Sequence, residues 1–131
     1  MKVETPKVVT FQGSTPFKGV PEVTDVEYDL YILRLTLKFE SLDGPVYVEF
    51  DGVKGFRVLD EGDLLEFWDE RVRADGWLWN VQEGGWQDLE RNREGFLSRP
   101  DEGYKEYLIC GVDDCVSILS FGPPLIRRPK P

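Results

Sequence analysis

The sequence contains no histidine, which removes both the commonest general base and the commonest metal ligand. Ser-His and Cys-His nucleophile systems are therefore excluded. Cysteine is nearly as scarce: Cys110 and Cys115 are the only two, and without histidine they cannot close a tetrahedral zinc site within one chain. Nor are they spaced as the Cys-x-x-Cys of thioredoxin-like enzymes. Phosphate-cradling Gly-x-x-x-x-Gly-Lys-Ser/Thr and strand-to-helix dinucleotide loops are missing as well. No cofactor, metal or catalytic residue is expected on these grounds. No apolar run approaches the ~20 residues needed to span a bilayer. Met1-Lys2-Val3-Glu4-Thr5-Pro6 lacks the apolar core of a secretory signal. These absences predict a cytoplasmic protein that does not engage a membrane.

Positive charge is also in short supply. The chain carries 16 Lys and Arg against 25 Asp and Glu, for a formal charge of −9. Setting aside Lys2, Arg127, Arg128 and Lys130 leaves 12 basic against 25 acidic side chains, so the body of the chain stands at −13. Nucleic acid is excluded as a partner, because phosphate binding needs a basic surface. Such acidity either serves solubility or complements a basic protein partner.

What the chain does have is enough to build a core. Its 131 residues are 40% apolar and 13% aromatic, which fits one packed domain over 1–131 with loose tails at 1–6 and 127–131. Tyr31 to Glu40 sets apolar residues on odd positions while even positions turn polar from Arg34 onward, the period-two pattern of a half-buried strand. Alternation resumes after Asp43-Gly44 with Val46, Val48 and Phe50, predicting a hairpin. A two-residue loop would oppose Phe39 to Val48; a four-residue loop would oppose Phe39 to Val46 and Arg34 to Asp51. Both keep the apolar residues on one face. Phe56 to Leu59 follows as a third strand after a Gly52 to Gly55 connection.

Elsewhere, Lys7 to Phe11 reads as a strand, followed by an irregular connection that Phe17 and Val20 pin to the core. The first long strand starts as early as Thr24. Trp77 to Gln82 is a strand with Trp77, Trp79 and Val81 on one face, and 86–89 a returning strand, with a helix over 86–93 as the alternative. Tyr104 to Cys110 and Cys115 to Ser120 are apolar at nearly every position, as central strands covered on both faces are. They flank a four-residue loop, Gly111 to Asp114, which sets the cysteines opposite each other as thiols for which a cross-strand disulfide is conceivable. Pro123 and Pro124 end the sheet, with a loose tail beyond Ile126. The expected fold is α+β, mainly β: a single antiparallel sheet or partly closed barrel of about 6–8 strands with one short helix.

That helix starts at Asp60, which suits an N-cap, with Glu61 and Asp63 in the first turn where the helix dipole favours negative charge. Asp60, Glu61, Asp63, Glu66, Asp69 and Glu70 fall within eleven residues with no Lys or Arg among them. Such a run is either a solvated face or a binding surface of one sign. As a binding surface it would use Glu61, Asp63, Glu66, Asp69 and Glu70, with Phe67 as an apolar anchor. Paired carboxylates also admit a hydrolase, and Trp77, Trp79 and Trp86 admit a lipocalin-like pocket for a small molecule in place of core.

Gly55 to Trp68, together with Glu106-Tyr107-Leu108-Ile109 and Cys115-Val116-Ser117-Ile118-Leu119, resembles small bacterial proteins, some of which resemble immunity proteins of toxin systems. The resemblance spans roughly a third of the chain. It implies a cytoplasmic antidote that binds a toxin domain and has no catalysis of its own; the acidic charge suits a toxin domain that is basic.

Overall fold

The computed structural model describes residues 7–60, 76–83 and 104–129. Nine strands run through them: β1 Lys7–Thr10, β2 Glu22–Tyr28, β3 Ile32–Lys38, β4 Val46–Asp51, β5 Val53–Asp60, β6 Leu78–Glu83, β7 Lys105–Cys110, β8 Asp114–Ser120 and β9 Leu125–Arg127. The only helical turn among the described residues is 3₁₀, at Gln12–Ser14. The strands form two antiparallel sheets, one ordered β1-β6-β7-β8-β5 and the other β2-β3-β4-β9.

The expected single sheet or partly closed barrel is thus corrected to a mainly β, two-sheet arrangement; the described strands change sheet after β1, after β4 and after β8, and the change after β4 takes a single residue. β4 ends at Asp51 in the four-stranded sheet and β5 begins at Val53 in the five-stranded one. Gly52 between them has φ +80, a left-handed conformation open to glycine at little cost. The connection read as Gly52 to Gly55 is therefore a single residue.

The alternation read from the sequence supplies the inner face. Leu33, Leu35, Leu37, Val46, Val48 and Phe50 are all fully buried, and they meet Leu78, Tyr107, Ile109, Val116 and Ile118 of the other sheet in one core. Each such side chain contributes about 1.5–3 kcal/mol by leaving water. Their pairing is Leu37 with Val46, Leu35 with Val48 and Leu33 with Phe50, two residues beyond the longer-loop register. Arg34 accordingly faces Glu49, not Asp51. Phe39 causes the difference: it leaves the ladder, its carbonyl accepts from Leu42 N at 3.1 Å, and its ring packs 5.2 Å from Trp77 and 5.9 Å from Phe17.

The run taken as one long strand from Thr24 is two. β2 and β3 pair as a hairpin, Val26 opposite Leu35, with a bulge between Val23 and Asp25. Phe17 does pack against the core, whereas Val20 is exposed. The loop after β7 tightens from the four residues Gly111 to Asp114 to Val112 and Asp113, since Gly111 N donates to Asp114 O at 2.8 Å. The sheet does not end at Pro123 and Pro124: β9 follows them and pairs with β4, Ile126 opposite Val48.

β7 and β8 are central strands covered on both faces, as their continuous apolar runs imply. Behind the main core, Trp79, Val81, Leu108, Cys110 and Cys115 form a second buried cluster joined by Leu59. Trp77 and Trp79 therefore do not share a face. Trp77 precedes β6, turns into the main core beside Leu78, and its indole N–H donates to Phe17 O at 3.2 Å.

Candidate partner-binding site

Asp60, read as the helix N-cap, is the last residue of β5, opposite Asp114. Glu61, Asp63, Glu66, Phe67, Asp69 and Glu70 lie outside the described residues, as do the 86–93 segment and Trp86. Of the tryptophans proposed for a ligand pocket, Trp77 and Trp79 are buried in different clusters. Trp77 borders a cleft of about 280 Å³ with Thr10, Ser14, Thr15, Phe17 and Lys18, at the small end of the roughly 300–1,000 Å³ of small-molecule sites. No group of three or more potential metal ligands occurs among the described residues.

The described residues do carry a surface that pattern reading missed: the turn joining β2 to β3. Leu30 is 78% and Tyr31 77% exposed, with Tyr28 and Ile32 about two-fifths exposed. Exposed apolar residues are ordinary when scattered, but four within five positions on one tip form a patch. The tip is also well held. The Asp29 carboxylate accepts from Tyr31 N at 2.9 Å and from Ile32 N at 2.8 Å, closing an Asx turn. These two backbone bonds, Ile32 first, hold the Asp29 carboxyl below its ordinary range. Leu30 takes φ +78, a conformation that costs a side-chain-bearing residue about 1–2 kcal/mol.

Neighbouring strands extend this end of the sandwich. Tyr28 packs edge-on against Phe56 at 5.4 Å between ring centroids. Ile32 lies opposite Asp51, and Phe121, half exposed, donates its N–H to Gly52 O at 3.1 Å just beyond. The Phe121 ring stacks on Tyr104 with centroids 3.7 Å apart. Exposed carboxylates of Asp29 and Asp51 flank this apolar group. Behind it, the outer face of the four-stranded sheet is a ladder of charge. Arg34 pairs with Glu27 at 2.9 Å and lies 5.2 Å over the Tyr47 ring, and Arg127 pairs with Glu49 at 2.8 Å.

No protein-family model, curated protein or solved structure matches the chain. Among the described residues, no helix is long and apolar enough to cross a membrane.

Proposed function

We propose that the protein is a noncatalytic acidic binding protein that captures a basic protein partner, most concretely as an immunity-type inhibitor of a bacterial toxin domain. The observation that carries the reading is the β2–β3 tip: Leu30 and Tyr31 stand in water on a turn that Asp29 fixes and Leu30 strains. Backbone strain kept at an exposed apolar position, with no core packing in return, is the mark of a residue retained for what it touches. A preset turn also loses less entropy on docking than a mobile loop.

The chemistry of the tip describes its partner: an apolar pocket for Leu30 and Tyr31, rimmed by Lys or Arg that meet Asp29 and Asp51. A charge of −9 adds long-range attraction to such a surface. Glu61, Asp63, Glu66, Asp69 and Glu70, with Phe67, belong to the same reading through their charge.

The test is surface-plasmon binding to a toxin domain encoded beside the gene, comparing the native chain with Leu30→Ser/Tyr31→Ser. Native binding that falls by about 2 kcal/mol or more in the double variant, at unchanged melting temperature, is expected of anchor residues. A native chain that binds no such domain overturns the immunity reading. Equal binding by both overturns the tip as the docking site.

A further inference from the structure

We propose that Cys110 and Cys115 form a reversible dithiol–disulfide site, oxidised by hydrogen peroxide within the folded chain. The two residues stand directly opposite each other across β7 and β8. Gly111 N bonds to Asp114 O beside the turn, whereas Cys110 N turns away to Trp77 O at 2.9 Å, just ahead of β6. The cysteines thus occupy a non-hydrogen-bonded pair, where opposed Cα atoms approach to about 4.5 Å and side chains are closest. That separation lies at the short end of the roughly 4.4–6.8 Å that a disulfide accepts. The Cys115 thiol already donates to the Cys110 sulfur at 3.1 Å.

The surroundings favour closure over any other fate of an oxidised sulfur. Val112 N bonds to Pro21 O at 2.9 Å, clamping the hairpin end to the start of β2. A side chain at Gly111 would meet Pro21 O, Asp114 O and Val23 at 3.0 Å, so the backbone there is tightly enclosed. Cys110 is 5% and Cys115 1% exposed, which keeps out glutathione-sized disulfides and leaves peroxide as the oxidant small enough to enter. One thiolate attacks a peroxide oxygen, giving a sulfenic acid and hydroxide. The second sulfur displaces the sulfenic hydroxide, and the disulfide forms. In sum, two thiols and one hydrogen peroxide become one disulfide and two waters. The peroxide is reduced by the two electrons the sulfurs lose. A dithiol reductant would return the disulfide to two thiols by thiol–disulfide exchange.

The full-length protein, treated with hydrogen peroxide and then alkylated, tests this. Cleavage before Asp113 and Asp114 separates the two cysteines, so a linked peptide pair that dithiothreitol releases is the expected product. Cys110→Ser and Cys115→Ser, checked for native melting, should instead accumulate sulfenic and sulfinic acids at the remaining sulfur, about tenfold more than the native chain. Three results would overturn the site: linkage only between molecules, sulfinic acid in the native chain at the rate of the single variants, or oxidation that appears only in denaturant. If one serine variant does not fold, the linked peptide and its release still decide the matter in the native chain.

Discussion

At the scale of single residues, Leu37 and Leu30 show opposite uses of an apolar side chain. Leu37 is fully buried opposite Val46, so Leu37→Ala should cost about 2–5 kcal/mol in a denaturant melt. Its neighbour Thr36, on the outer face, should cost far less when changed to Ala; equal losses would mean the faces are misassigned. Leu30 makes no such contribution. Leu30→Gly relieves a left-handed strain of about 1–2 kcal/mol at an entropic cost of about 0.5–1, so its melting temperature should hold or rise while partner binding falls. A variant that loses stability and binding together would show that Leu30 is structural. Asp29 adds a dependence on pH. Its carboxyl titrates lower in the folded chain than its ordinary value because the ionised form accepts the Tyr31 and Ile32 amides. The turn's stabilisation is therefore present above the ordinary Asp range and lost as pH falls through the lower, folded value. Once the intrinsic pH dependence of exchange is divided out, the protection factors of the Tyr31 and Ile32 amides should fall on acidification in the native chain and be low at every pH in Asp29→Ala.

At the scale of elements, period-two alternation made β3, β4 and the inner core legible, and continuous apolar runs marked β7 and β8 as central. Turns hid the rest. The β2–β3 hairpin has no glycine at its tip: an Asx turn and a strained Leu30 do what Asn-Gly usually does, so the run reads as one strand. Trp77 breaks the alternation because a bend before β6 swings it to the other face. β9 was invisible because Leu125-Ile126-Arg127 follows two prolines and is too short for a pattern, its place set by pairing with β4. The exposed tip could have been suspected from Leu30-Tyr31-Ile32, where three large apolar residues in succession break the alternation. β9 offers its own test. Ile126 packs half-buried against the core and Arg127 reaches Glu49 in solvent. Ile126→Ala should cost about 1–2 kcal/mol, and Arg127→Ala no more than about 1; the reverse order in thermal melts would show that the strand is held by charge.

At the scale of the whole molecule, the net charge of −9 would bear on a partner's approach more than on the stability of the fold. If the acidic surface steers a basic partner, association should slow as salt rises while dissociation changes less. Replacing Glu66, Asp69 and Glu70 together with Gln or Asn should lower the association rate at low salt without lowering the melting temperature. An unchanged rate would leave that run as a solvated face. The same charge has a consequence at the margin of the four-stranded sheet. β2 is its edge strand, and Glu22, Asp25 and Glu27 are all exposed along it, with a bulge at its start. Carboxylates and bulges are how natural sheets repel the edges of other copies. The guard lasts only while the carboxylates are ionised. Near the isoelectric point of about 4.5 the net charge vanishes and copies of the protein no longer repel one another. Mildly acid solution should therefore turn β2 into a template on which strands of other copies add, and Lys substitutions at Glu22 and Asp25 should shift that self-assembly to a different pH.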